Sequence, residues 1–415
     1  MISKLHKIYP TSVTIVDQPC GYGKTTKMIQ SLNAEELFLV VVPLKSEVRR
    51  VLESVASLGF EEPMEVMTDD RTKRSALVHL VNQRKSIVTT HKLYSEIGYL
   101  CSMGLLDEYN IIIDEVPEAV TAVATISKRS AEEFYLRTGY LSKDDNGLCS
   151  TTPKWEEKKN EVSDTLNPKI MVGAEGGNLY LTPQGTFIMA LPEMLFYRCS
   201  SLTVLTYKSE GSYFRKYMDK IGVRYDVLRS EEHEKMFKEK ARNLITFADA
   251  SVLENVNFTY NKQMEVKEGP KICKKVCSAL KNVRQRQFRG APLTNIMVTS
   301  AEKNWRDQKA FKKGQLKLQG YAKSTGLGRV HWVANQTRGT NDYVNCSHLV
   351  YLYDKHPQPP IAQWLNASTK AFSEAFALTE LIQWVWRSRI RQSEPITLYL
   401  PSPRMKRLLL DWLNA

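Results

Sequence analysis

No stretch of this 415-residue chain approaches the roughly 20 consecutive apolar residues that would span a bilayer. Its opening, MISKLHKIYPTS, lacks the unbroken apolar core of a signal peptide. Both absences point to a protein that stays in a cytoplasm (a host's, if viral), with no membrane partner. Ordered cysteine spacing is missing too. The seven cysteines fall at 20, 101, 149, 199, 273, 277 and 346, an odd, unpatterned set that reads as reduced thiols. Only Cys273 and Cys277 are close, and without a nearby histidine or second cysteine pair they do not make a zinc site. Acids are the scarcer charge: 58 Lys and Arg against 45 Asp and Glu leave a net charge of +13. That favours a polyanionic partner, nucleic acid before membrane. Hydrophobic content of 42% and charged content of 25% describe a soluble globular chain whose length suggests two domains.

What is present is organised around residues 12–26, SVTIVDQPCGYGKTT. A β-branched strand, Val13–Val16, leads into Gln18-Pro19-Cys20-Gly21-Tyr22-Gly23, then Lys24-Thr25-Thr26 opens a helical segment at Lys27–Leu32. A phosphate cradle needs that order of events. Gly21 and Gly23 let backbone N–H groups turn toward an anion, and the helix N-terminus adds partial positive charge. Lys24 is placed for the β- and γ-phosphates of ATP, and the Thr25 hydroxyl for Mg²⁺. The pattern G-x-x-x-x-G-K-[ST] is broken at its first position, where Gln18 stands.

Strand–helix alternation follows. Glu36–Val42 is a nearly continuous apolar run, Leu44–Leu58 has a helical period, and Ser86–Thr90 precedes another helix at His91. Such alternation predicts a doubly wound α/β sheet, with ligands at the carboxyl ends of its strands. The run Ile111–Ile113 ends in Asp114-Glu115, two adjacent carboxylates that packing alone does not call for. Beside a phosphate loop, the first acid suits Mg²⁺ and the second a water nucleophile. Residues 119–200 read as an insertion, with Lys143–Pro168 a polar loop or mobile insert and Asn178–Ala190 a hairpin. Ser201–Tyr207 is strand-like.

In the second half, Leu228–Arg242 reads as a linker or solvated helix. Lys262–Arg289 carries nine basic residues, Lys267 among them, against Glu265 and Glu268; Lys312, Lys313, Lys317 and Lys323 follow. They suit a phosphate track or a solvated helix face equally. Gln336–Tyr343 reads as a turn. Ala375–Arg391 is helical by period, placing Gln383, Arg387 and Arg391 four apart on one face. Such a row can neutralise charge on a γ-phosphate, and it equally suits a helix dipole. Ser402-Pro403 opens the last helix.

Taken in order, QPCGYGKT, VVVPLK, VTTH, DEVP and QWVWRSRIR resemble the successive motifs of superfamily 2 DEAD/DEAH-like helicases, in the variants carried by bacteriophages and mobile elements. Arg338 and Gly339 resemble a further element of that set, and Thr206 is what survives of another. The resemblance implies two tandem RecA-like P-loop domains with parallel sheets: 1–229, with the insertion at about 119–200, and 230–415, carrying the arginine finger. It implies ATP and Mg²⁺ as cofactors. Gln18, Pro19, Cys20, Gly21, Tyr22, Gly23, Lys24, Thr25 and Thr26 would hold the nucleotide, and Thr25 and Asp114 the metal. Lys24, Glu115, Gln383, Arg387 and Arg391 would be catalytic, Arg387 more firmly than Arg391. The expected activity is an ATP-dependent helicase or translocase of phage or mobile-element DNA replication, on single-stranded DNA ahead of RNA and beside replication proteins. Two other readings stay open: a terminase-type packaging ATPase, though 230–415 shows no acid cluster for a nuclease, and a nucleic-acid-binding protein whose nucleotide site is a switch or silent.

Overall fold

The computed structural model describes residues 12–265, 269–337 and 339–415. The opening stretch 1–11, Lys267, Glu268 and Arg338, all drawn on above, lie outside the described residues. The chain forms two units. One comprises Met1–Asp17 (described from Ser12), Lys24–Leu228 and Gln358–Thr369. The other comprises Gln18–Gly23, Arg229–Pro357 and Lys370–Ala415.

Apolar runs build the first unit's main sheet: β1 Ser12–Asp17, β2 Leu37–Val42, β3 Ile87–Thr90 and β4 Tyr109–Asp114. The chain then makes β5 Val120–Thr125, β6 Leu141–Lys143, β7 Leu148–Thr151, β8 Leu179–Leu181 and β9 Thr186–Ala190, and returns with β10 Ser201–Thr206 and β11 Asp226–Leu228. The main sheet runs β11-β1-β10-β4-β2-β3, every neighbouring pair parallel. Phe38–Val42 is buried throughout, as a parallel strand covered on both faces requires. The five strands from β5 to β9 make a separate antiparallel sheet, β5-β9-β8-β7-β6.

That second sheet corrects the expectation of a polar loop over 143–168. The side chain of Asp144 accepts from the N–H groups of Asn146 (3.0 Å) and Leu148 (2.7 Å), closing a turn between β6 and β7. Thr152 caps a helix at Pro153–Val162 by accepting from Trp155 N–H. One large apolar residue in a polar stretch anchors it: Trp155 is buried with Tyr135, Leu179 and Phe187. Burial of a single indole outweighs the polarity of its neighbours.

A later segment also belongs to the first unit. The short helix Pro359–Trp364 places the Trp364 ring 4.9 Å from that of Tyr180 and 6.0 Å from that of Tyr217, with Lys220 Nζ 4.8 Å above it. Gln358 N–H donates to the Tyr213 hydroxyl at 2.7 Å.

In the second unit, β12 Ile245–Phe247, β13 Ile296–Thr299, β14 His331–Trp332, β15 His348–Tyr351 and β16 Ile396–Tyr399 form a sheet ordered β12-β16-β15-β13-β14, again all parallel. Phe258, Leu280, Val298, Trp305 and Val350 share its core. The charged segment after Leu228 is a helix, Glu231–Leu244, that is not wholly solvated: Phe237 and Ala241 are buried, and the Phe237 ring lies 4.4 Å from Trp386. None of the seven cysteines, all among the described residues, is in a disulfide, Cys273 and Cys277 lying 4.0 Å apart at sulfur. Among the described residues no helix is long and apolar enough to cross a membrane.

Candidate functional site

Sheet order brings three strand ends together. β1 ends in Asp17, β10 in Thr206 and β4 in Asp114, and the registers Asp17↔Thr206 and Leu205↔Asp114 set them side by side. Ligands gather at this edge of a parallel sheet. The helix α1, Lys24–Ser31, begins at Lys24, three residues earlier than its apolar pattern indicated. Thr25 Oγ1 donates to Asp114 Oδ2 at 2.9 Å, joining residues 89 apart in the chain.

Asp114 is only 8% exposed. Burial, and next the charge of Glu115, push its carboxyl up to about 6; the Thr25 hydroxyl and the Lys24 and Arg50 cations act the other way. A carboxylate kept this dry beside a hydroxyl is a hard-oxygen pair suited to Mg²⁺. No group of three or more His, Cys, Asp or Glu side chains gathers for a metal among the described residues. Mg²⁺ tolerates that, because it commonly takes one or two protein oxygens and fills its shell with water and phosphate.

Glu115 has the left-handed backbone, φ +64°, which costs a residue with a Cβ about 1 kcal/mol. Its N–H donates to Leu205 O at 2.8 Å, locking the end of β4 against β10. Its Oε2 is buried with no hydrogen-bond partner among the described residues. His91, just past β3, has Nε2 2.9 Å from the Asp114 carbonyl oxygen. The Thr206 hydroxyl is likewise buried without a partner among the described residues.

The loop residues Gln18–Gly23 group with the second unit. Gly21 and Gly23 have φ of +84° and +72°. A Cβ on Gly23 would meet nothing within 4 Å, so backbone conformation rather than crowding requires glycine there. Gln18, the departure from the phosphate-loop pattern, has its Oε1 3.0 Å from His233 Nδ1. Tyr22 stacks obliquely on His233, with ring centroids 4.9 Å apart. A Cβ on Gly21 would lie 4.0 Å from Arg391 Cγ, so this loop and the second expected arginine come together.

Gln383, Arg387 and Arg391 do not share one helical face, contrary to the sequence period. The helix Lys370–Val385 stops before Arg387. Ser388 Oγ donates to Val385 O at 2.7 Å, and the Arg389 N–H is drawn to Cys346 O at 3.1 Å. The chain then makes a separate turn at Arg389–Gln392. Gln383 and Arg387 are buried, Arg387 being 5% exposed, whereas Arg391 is exposed. Arg389 is engaged by its own turn, its Nε donating to Pro395 O. Local periodicity continues past Val385, but the Ser388 hydroxyl closes the helix end on Val385 O and the Arg389 N–H bonds Cys346 O instead of continuing the helix.

Asp17 escaped the sequence reading, although the signal used for Asp114, an apolar strand ending in an acid, was there. Its buried carboxylate accepts from Lys208 N–H (2.7 Å), Ser209 N–H (3.0 Å) and Ser209 Oγ (2.7 Å), tying the strand before the loop Gln18–Gly23 to the turn after β10. Asp17→Ala strands these donors and is expected to cost about 3 kcal/mol in urea denaturation. A midpoint unchanged from wild type would contradict this. His233 was also missed, because its helix reads as a linker.

Residues 237–413 match a protein family described as the YonV C-terminal Rossmann-like domain. Along almost its whole length the chain is similar to the SPbeta prophage-derived uncharacterized protein YonV of Bacillus subtilis (strain 168), at 26% identity over 97% of this chain and 98% of that protein. Among solved structures it is similar to one titled XPD_APO (15% identity, TM-score 0.51, 100% of this chain and 96% of that one). It is also similar to S. tokodaii Xpd4 (12% identity, TM-score 0.50, 99% and 95%). With two parallel sheets along the chain, these likenesses show the fold: α/β, with tandem RecA-like domains.

Proposed function

We propose that the protein is an ATP- and Mg²⁺-dependent nucleic-acid translocase or helicase of phage or mobile-element DNA replication, working in a host cytoplasm. The observation that carries this reading is the Thr25–Asp114 hydrogen bond at the start of α1, with Glu115 beside it. A serine or threonine directly after the loop lysine, bonded to a dry carboxylate at the end of the neighbouring buried strand, suits a nucleotide-hydrolysing site better than a structural strand end. The fold likeness to helicases and the net charge of +13 support a nucleic-acid track, single-stranded DNA ahead of RNA. The prophage-derived relative supports the setting.

In this reading Gln18–Thr26 binds the nucleotide phosphates through backbone N–H groups, and Lys24 Nζ pairs with the β- and γ-phosphates. Thr25 Oγ1 and Asp114 Oδ2 would hold Mg²⁺, which when bound neutralises charge on the transferred phosphoryl group. Glu115 orients the attacking water and accepts its proton. Arg387 and Arg391 supply further positive charge in the transition state, with Gln383 in support. We assign nucleotide binding to 1–229, with 119–200 inserted, and the arginines to 230–415.

Lys24→Ala tests the reading. Phosphate release, measured with and without single-stranded DNA or RNA, is expected to fall by at least about 10²-fold with the circular dichroism spectrum unchanged. A folded variant with wild-type turnover would sink the proposal.

A further inference from the structure

From Gln308 to Arg329 the chain carries six basic residues (Lys309, Lys312, Lys313, Lys317, Lys323 and Arg329) and no acid. This stretch is most of the crossover from β13 to β14 in the second unit. Where a parallel connection ordinarily supplies a long helix, this one has a five-residue helix, Gln308–Lys312, between short turns at Glu302–Asn304 and Gly320–Ala322. Residues 311–317 are all exposed, including Phe311 and Leu316 among the lysines. Lys312, Lys313 and Lys323 make no ion pair among the described residues. An apolar surface interleaved with uncompensated lysines is a poor free surface but a good one for a polyanion with flat apolar parts.

Beside this crossover, past the carboxyl ends of β13, β14 and β15, lies a cavity of about 270 Å³. Tyr260, Met264, Trp332 and Tyr353 form its apolar wall, with Gln308 and Asn335 as polar groups. Tyr260 is 55% exposed, an aromatic ring left standing in solvent at the mouth. Trp332 also lines a neighbouring cavity of about 310 Å³ that reaches Phe311 and Leu316. Its indole Nε1–H is buried with no acceptor among the described residues. Glu302 is the one acid in the first lining, and Arg306 (2.9 Å) and Gln308 engage its carboxylate. Arg306 in turn lies 3.5 Å from the Phe311 ring centroid and 4.6 Å from that of Trp332, keeping the two rings apart. Cavities at the small end of the ligand-binding range, roughly 300–1,000 Å³, take one flat group rather than a whole nucleoside triphosphate. Aromatic walls, amide groups and adjacent lysines fit a nucleobase whose phosphate remains outside.

We propose that this face of the second unit holds a single-stranded nucleic acid by taking an unpaired base against Tyr260, Trp332 and Tyr353, with the flanking phosphates on Lys303, Lys309, Lys312 and Lys313. The inference deepens the motor reading, resting on it for the polymer being the natural track, and requires no nucleotide hydrolysis. Aromatic stacking tolerates every base, so the contact grips a strand without selecting its sequence. It also discriminates against duplex, whose bases are already stacked.

The test is equilibrium binding of the full chain, without nucleotide and over a series of salt concentrations, to fluorescent oligo(dT), oligo(U), an abasic strand of equal length and a duplex, the strands being compared at equal salt. Oligo(dT) or oligo(U) is expected to bind at least about tenfold tighter than the abasic strand. Tyr260→Ala, at an exposed position, is expected to weaken binding of the base-bearing strand about 5- to 150-fold and leave the abasic strand unchanged; Tyr260→Phe restores it. The pair Lys312→Ala and Lys313→Ala is expected to weaken both strands alike and to lower the salt slope by about 0.7 per lysine. Equal affinity for abasic and base-bearing strands, or no loss in Tyr260→Ala, overturns the inference. Base-dependent binding by a chain that hydrolyses no ATP upholds it while the motor reading falls; ATP hydrolysis with base-indifferent binding does the reverse.

Discussion

Replacing Glu115 with glutamine is expected to lower nucleic-acid-stimulated ATP hydrolysis by about 10²–10⁴-fold while nucleotide affinity stays within a few-fold. Glutamine preserves the size of the side chain and its backbone demands, so the bond from the residue 115 N–H to Leu205 O is kept. What it loses is the carboxylate oxygen. In the wild type Glu115 Oε2 is buried without a hydrogen-bond partner among the described residues, although the left-handed φ of +64° at this residue already costs free energy. A strained acid with an unsatisfied oxygen at the carboxyl edge of a parallel sheet is poised for something that arrives later, and a water nucleophile supplies the missing donor. Single-turnover phosphate release, paired with binding of a fluorescent ATP analogue, separates chemistry from affinity. A rate within about threefold of wild type would mean that Glu115 is not the base.

The second large effect concerns stability as well as activity. Asp114→Asn is expected to abolish Mg²⁺-dependent hydrolysis and yet to make the metal-free protein more stable at pH 7.5. Burial first, then the charge of Glu115, raise the Asp114 carboxyl to about 6, against about 3.9 in an unfolded chain. Between about pH 4 and 6 the folded state therefore holds a proton that the unfolded state has already released. Its stabilising contribution is complete below about pH 4 and is lost as pH rises through 6. Above that, the ionised buried carboxylate costs on the order of 3 kcal/mol. Asparagine can still accept from Thr25 Oγ1 and carries no charge, so it escapes the cost. In chelator-treated buffer the variant is expected to melt several degrees above wild type at pH 7.5, with the gap closing toward pH 5. A pH-independent difference, or a less stable variant at pH 7.5, would show that this carboxylate is not held at the cost of stability for a cation.

The candidate chemistry was legible because it is written in short contiguous runs. Gly21 and Gly23, with Lys24-Thr25 opening a helix, fall in one short run, as do the strand Tyr109–Asp114 and the two acids at its end. Periodicity failed where a distant partner outweighed local preference. The polar stretch around Trp155 folds because that indole finds Tyr135 and Phe187. The apolar repeat of the helix Lys370–Val385 runs on in sequence past Val385, but the Arg389 N–H bonds Cys346 O, and the row of Gln383, Arg387 and Arg391 is broken. Gln18 looked like a defect in a phosphate loop until His233, 215 residues away, was found beside it.

By itself the sequence determined the identity of the elements: which runs are apolar enough to become buried parallel strands, where glycine permits a left-handed turn, and which acids end an apolar strand. These follow from side-chain hydrophobicity and backbone sterics, which each residue carries with it. Only the tertiary structure decided that β10 lies between β1 and β4, so that Asp17, Asp114 and Glu115 share one edge. It alone placed Pro359–Trp364 in the first unit and set Tyr260, Trp332 and Tyr353 around a single cavity. Those are choices among many pairings of equally apolar surfaces, and they are settled by long-range packing and by satisfying buried polar groups, which no local pattern encodes.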